Sequence, residues 1–211
     1  MQVIVTEGRL SFGDRRVLEG VDATFNNARV TALVGPSGSG KSTLLAVMAG
    51  YQRLDSGNVS FVNDDGEFTA PDPALVAWVP QGANALGTRT ALDNVMIAPL
   101  AEGRGLAASH AIAERALTDV GLLSRANAGA RVLSGGELQR VSFARALATS
   151  KPLIFADEPS ASLDAANTYV LAELLIGLRS RATIIVATHD PILINAAEAV
   201  VSLRSEHTNA A

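Results

Sequence analysis

The feature that most restricts this chain is the run Gly35-Pro36-Ser37-Gly38-Ser39-Gly40-Lys41-Ser42-Thr43. It fits the phosphate-loop pattern G-x-x-x-x-G-K-[ST], the Walker A form. An apolar, β-rich segment, Val30-Thr31-Ala32-Leu33-Val34, precedes it, and a helix-like run, Thr43-Leu44-Leu45-Ala46-Val47-Met48-Ala49, follows. Strand, glycine loop and helix in that order give the motif a mechanism. The glycines let backbone N–H groups close around a polyphosphate. The following helix N-terminus aims about half a positive charge at the same anion. The loop therefore predicts binding of a nucleoside triphosphate with magnesium. It also predicts a fold in which a buried strand feeds a helix.

The 211 residues suit one large domain, or one domain with an inserted lobe. Hydrophobic residues make up 48%, enough for a sizeable core, and there is no cysteine, which excludes disulfides and thiolate metal sites. Seventeen basic and 21 acidic residues leave a net charge of −4 without a long basic block, so no direct nucleic-acid partner is expected. The start at Met1 reads as a strand rather than an export signal. Apolar runs such as Leu153-Ile154-Phe155-Ala156 are too short to span a bilayer, and the chain is expected to be cytoplasmic.

The first third reads as strands at 2–6, 17–25 and 29–34, with Gly8, Gly13-Asp14 and Asn26-Asn27 as turn signals. Two short strands, 59–62 and 75–79, are separated by the polar linker Asn63-Asp64-Asp65-Gly66. The middle turns alanine- and leucine-rich with helical spacing at 91–100, 106–120 and 136–148. Strands at 152–156, 183–187 and 200–203 then alternate with helices at 165–179 and 191–196. Buried strands alternating with helices predict an α/β fold with a mostly parallel sheet, an N-terminal antiparallel β portion and an inserted α-helical lobe. The expected division is a core of 1–84 and 145–204, a helical lobe of 85–144, and a disordered tail of 205–211.

Two further motifs carry chemistry. The strand Leu153-Ile154-Phe155-Ala156 ends in Asp157-Glu158. Beside a phosphate loop, Asp157 is suited to hold magnesium with Ser42, and Glu158 to polarise a water for attack on the γ-phosphate. Ser134-Gly135-Gly136-Glu137 opens a helix. Ser-x-x-Glu is a capping box, yet two glycines at a helix N-terminus also make a second anion site. Two such sites and one nucleotide suggest that each site completes another subunit's nucleotide.

Taken in order, the phosphate loop, Gln81 after Val79-Pro80, Leu133-Ser134-Gly135-Gly136, Asp157-Glu158, Asp164 and His189 resemble the ATP-binding cassette (ABC) ATPases. The resemblance covers nearly the whole chain, and its details suggest the compact cassettes of the lipoprotein-release and macrolide-export type. It implies an ATPase that dimerises around ATP and Mg2+ with a second ATP-binding subunit. That pair would power an integral membrane permease on a separate chain, peripheral on the inner face of the cell membrane. It implies that Gln81 contacts the magnesium or the attacking water and that His189 touches the γ-phosphate. It further implies that Asp164 runs along the dimer seam and that Phe12 stacks on the adenine. Alone, Asp164 is an ordinary N-cap and Phe12 an ordinary core residue. His110 and His207 have no such context and read as a helix surface and the tail.

Two departures stand out. The signature usually reads Leu-Ser-Gly-Gly-Gln, and here its fifth residue is Glu137, expected to point away from phosphate or to hold the Ser134 cap. Ser160 replaces the more usual Thr after Pro159, and no C-terminal regulatory extension follows. The rival reading is an ATP-gated regulatory ATPase of a non-transport membrane or nucleic-acid complex.

Overall fold

The computed structural model describes residues 1–179 and 182–203; the 205–211 tail and His207 lie outside the described residues. The described residues form two sheets and six α-helices. An antiparallel sheet has the order β2-β1-β4-β5, and a parallel sheet has the order β6-β7-β8-β3-β9. The antiparallel strands are β1 (Gln2–Phe12), β2 (Arg15–Phe25), β4 (Ser56–Val62) and β5 (Phe68–Thr69). The parallel strands are β3 (Val30–Val34), β6 (Val76–Val79), β7 (Leu153–Asp157), β8 (Thr183–Ala187) and β9 (Ala199–Ser202). The helices are α1 (Lys41–Met48), α2 (Ala91–Ala101), α3 (Leu106–Asp119), α4 (Gly135–Leu147), α5 (Ala165–Gly177) and α6 (Pro191–Ala196).

The parallel sheet is covered on both faces, and its strands show why. In β7, Ile154 and Ala156 enter a core shared with the helices α2 to α6, which contribute Val95, Leu117, Phe143, Leu175 and Leu193. Leu153 and Phe155 enter a second core with Leu44, Leu45 and Met48 of α1 and Val3, Phe25 and Phe61 of the antiparallel sheet. β8 alternates the same way, Ile184 and Val186 against Ile185 and Ala187. Side chains on a strand point to opposite faces in turn, so a strand buried on both sides reads as one continuous apolar run. Each large apolar side chain so buried contributes about 1.5–3 kcal/mol.

One turn expectation is corrected. Gly8 does not end the first strand: β1 continues to Phe12, with register shifts against β2 between Val5 and Gly8 and again between Gly8 and Arg9. Glu7 takes a positive φ of 51° there. A bulge absorbs extra residues without breaking the ladder, and at a single glycine it leaves the same sequence signal as a turn. The linker at Asn63 holds a hairpin turn, closed by Gly66 N–H donating to Asn63 O (3.1 Å) and leading into β5. The strand β5 itself is too short and exposed to carry a sequence pattern.

Parallel strands place all their C-terminal ends on one edge. Val34, Val79, Asp157 and Ala187 end β3, β6, β7 and β8 there, in the register that the parallel pairing fixes. Open parallel sheets bind ligands outside that edge.

Candidate functional site

The phosphate loop joins β3 to α1. Two glycines make its path possible. Gly38 and Gly40 have φ of 77° and 92°, which other residues rarely adopt. A Cβ on Gly40 would also meet Val17 O at 2.9 Å, so β2 presses directly on the loop. Ser39 N–H donates to Pro36 O (3.1 Å) and tightens the turn. Helix α1 then starts at Gly40 with no side-chain cap and no acidic residue in its first turn. Its leading N–H groups are thus left for an external acceptor.

Around this cradle the strand ends deliver the reactive groups. Lys41 Nζ donates to Gly35 O (2.9 Å) and Pro36 O (3.3 Å) and lies 3.2 Å from Glu158 Oε1. Ser42 Oγ donates to Asp157 Oδ1 at 2.9 Å. His189 Nδ1 lies 2.9 Å from the other oxygen of Glu158, Oε2. Glu158 therefore bridges the loop lysine and the histidine. Its backbone has a positive φ of 42°, and its N–H donates to Ala187 O (2.8 Å). A non-glycine residue held in that region costs of order 1–3 kcal/mol, a strain that clusters at functional sites. His189 is placed by its neighbours. Thr188 N–H donates to Leu33 O (3.0 Å), and Asp190 caps α6 through Ile192 N–H (2.9 Å).

Asp157 is pushed above its usual carboxylate range, chiefly by burial, then by the charge of Glu158, while Ser42 and Lys41 pull the other way. Two hard oxygen donors, a hydroxyl and a desolvated carboxylate, sit 2.9 Å apart at the mouth of the loop. That donor set suits Mg2+ and offers nothing to softer metals.

A cleft of about 570 Å³ opens over these groups. Phe12, Ser37, Gly38, Gly40, Lys41, Ser42, Thr43, Gln81, Glu158 and His189 all line it. Gly35, Pro36 and Ser39 form the loop beneath. Phe12 is half exposed rather than core-packed. Three residues lining the cleft were not among the candidate site residues: Arg15, Val17 and Ala161. Arg15 pairs with Phe12 across the Gly13-Asp14 turn, a turn the sequence does signal.

Ser134, Gly135, Gly136 and Asp164 do not line this cleft. They gather elsewhere on the same subunit. Ser134 Oγ accepts from Glu137 N–H (3.2 Å), and Glu137 Oε2 accepts from Ser134 N–H (2.8 Å), a complete capping box on α4. Asp164 caps α5 by accepting from Asn167 N–H (2.8 Å). A Cβ on Gly136 would overlap the Asn167 carboxamide, so the two helix starts touch. His110 sits on the exposed face of α3, 3.4 Å from Glu114.

Comparison with known proteins agrees with this geometry. Residues 18–161 match the ABC transporter family. The lipoprotein-releasing system ATP-binding protein LolD of Bacteroides fragilis is 39% identical over 194 residues, covering 87% of this chain and 88% of that protein. The macrolide export ATP-binding/permease protein MacB of Marinobacter nauticus is 40% identical over 193 residues, covering 86% of this chain but 30% of that longer protein. Among solved structures, the dimeric bacterial ABC transporter cassette MJ0796 superposes with a TM-score of 0.80 at 29% identity, covering 95% of this chain and 94% of that one. A post-hydrolysis dimer of the same cassette with ADP and Pi gives 0.79 at 27% identity, covering 96% and 94%.

Proposed function

The chain belongs to the ABC transporter ATPase family, and on that premise we propose that it is the ATP-hydrolysing subunit of a transporter, dimerising around ATP to drive a permease on a separate chain. The observation that carries the reading is the convergence on one cleft of the uncapped α1 N-terminus, Lys41, the Ser42–Asp157 pair and Glu158. Relatives named as ATP-binding proteins of lipoprotein-release and macrolide-export systems support the transport role. No helix among the described residues is long and apolar enough to cross a membrane. In this reading the permease on the separate chain holds the subunit at the membrane, on its cytoplasmic face.

In this reading Phe12 stacks on adenine, and the loop N–H groups and Lys41 hold the β,γ-phosphates. Ser42, Asp157 and Gln81 would hold Mg2+, which when bound neutralises charge on the phosphate oxygens. Glu158 accepts a proton from the water that attacks the γ-phosphorus, and His189 fixes Glu158 and the γ-phosphate side of the cleft. ADP and phosphate leave. Such chemistry is mostly positioning and charge stabilisation. Ser134, Gly135, Gly136 and Asp164 serve the nucleotide of the second subunit, across the seam.

The segment from Asn84 to Arg89 is the proposed permease dock. It is built rather than loose. Arg145 Nη2 donates to Asn84 O (2.6 Å), and buried Asn94 holds both backbone groups of Leu86. Leu86 itself is half exposed. Purified chain should hydrolyse ATP, and co-expression with its membrane partner should change that turnover; a rate indistinguishable from buffer in both cases would refute the reading.

A further inference from the structure

Glu137 places a full negative charge at the glycine-flanked start of α4. On the reading above, a partner's terminal phosphate must approach that same helix start. The conflict has a visible answer in the fold. Glu137 Oε2 is taken by Ser134 N–H at 2.8 Å, and Glu137 Oε1 lies 3.2 Å from Arg125 Nε. Arg125 closes the short 3-10 turn Leu123–Arg125 that follows α3. That turn is pinned by Arg125 N–H to Leu122 O (2.9 Å) and Ala128 N–H to Arg125 O (2.9 Å). A second guanidinium nitrogen, Nη2, donates to Val132 O at 3.5 Å. The guanidinium thus lies between the carboxylate and the strand of chain that enters the helix.

We propose that Arg125 is a positioning residue for the composite ATP site: it turns Glu137 aside and cancels its charge, so that the Ser134-Gly135-Gly136 start of α4 can receive a phosphate from a second subunit. The proposal rests on the face-to-face dimer reading and deepens it. Three features support a role beyond bracing. The pair is internal to one subunit, Arg125 nine residues before the anion-receiving serine and Glu137 three after it, so it is formed before any dimer exists. Glu137 is mostly shielded while Arg125 remains 43% exposed, which leaves cationic surface beside the helix start. Glu137 also has both oxygens engaged, one by the helix's own N-cap and one by Arg125, and neither is free to face outward. Like charges at a shared site repel, and an exposed cation beside the acid offsets that repulsion.

The test uses the full chain carrying Glu158→Gln, which slows turnover so that ATP-driven dimerisation can be read by sedimentation. Adding Arg125→Gln, which keeps polarity toward Val132 O, should weaken the ATP-dependent dimer by about two- to fivefold, the scale of one partly exposed charge pair. Fluorescent-ATP binding to the monomer should not move. The loss should shrink in high salt. Combining Arg125→Gln with Glu137→Gln should restore dimerisation, and Glu137→Gln alone should leave it as tight or tighter. A purely structural ion pair predicts the reverse, because either substitution breaks it and neither rescues the other. Unchanged dimerisation in Arg125→Gln, or loss in Glu137→Gln alone, overturns the proposal while the dimer reading survives. A Glu158→Gln parent that stays monomeric with ATP overturns both.

Discussion

Helix α1 begins at Gly40, with no side-chain cap and no acid in its first turn. Helix α4 begins at Ser134, whose hydroxyl and the Glu137 carboxylate satisfy each other's N–H groups in a complete capping box. Both starts are glycine-bearing, and either alone would pass for a phosphate cradle. The difference is that α1 leaves its N–H groups to a ligand, whereas α4 has already supplied its own anion. One helix start is pre-organised to bind; the other must exchange an internal acceptor for an external one. An uncapped helix start is costly to a free chain, and a capped one is stable until something better arrives. That asymmetry is what a machine needs if nucleotide is to bind one subunit first and recruit the second afterwards.

The largest expected effect lies at the pre-organised start. Glu158→Gln should cut ATP turnover by about a hundredfold or more while ATP still binds, because a positioned base is lost but the cradle is not. Near-normal turnover would assign the base elsewhere. Next, Lys41→Ala should weaken ATP binding to the monomer by about ten- to hundredfold, the range for a charge-assisted hydrogen bond. Ser134→Ala sharpens the contrast: monomer binding should be unchanged, the ATP-driven dimer weakened, and the helix cap loss should destabilise the fold by about 0.5–2 kcal/mol in denaturant melts. Equal loss of monomer affinity in both variants would erase the distinction between the two helix starts.

The smallest effects are in pH. Glu137 is held below its usual 4.5, mainly by the Ser134 N–H, with Arg125 adding to it. A depressed carboxylate contributes stability that is present above its ordinary value and lost as pH falls through the depressed one. Asp157 is raised above 3.8 by burial, so its contribution is full below that value and is lost as pH rises through the raised pKa. Asp157, which pairs with Ser42 of α1, and Glu137, in the first turn of α4, therefore slope in opposite directions. Asp157→Asn should raise the melting temperature of nucleotide-free chain at neutral pH and lose the magnesium dependence of ATP binding. Glu137→Gln should flatten the decline in melting temperature below pH 4.5. A fall in melting temperature for Asp157→Asn would contradict the burial argument.

The loop, the parallel strands and α6 were readable in the sequence because local chemistry fixes them. Glycines with no alternative and runs such as Ile184-Ile185-Val186-Ala187 admit one reading. What the sequence hid is long-range. Gly8 in a bulge and Gly13 in a turn look alike until strand β2 is in place. Arg15 and Val17 enter the cleft only because Gly40 lets β2 pack on the loop. The Arg125–Glu137 pair spans a turn whose path no periodicity predicts. The order of the motifs singled out the candidate residues and suggested that Ser134, Gly135 and Gly136 serve another subunit, but not the contact between Gly136 and Asn167 that joins the starts of α4 and α5.

The most direct measurement is a crystal structure of the Glu158→Gln chain with magnesium and ATP. The account predicts two copies facing each other, with Ser134 Oγ of each within hydrogen-bond distance of the γ-phosphate held by Lys41 of the other. A triphosphate seated on Lys41 with no second subunit's Ser134 near it would contradict the account.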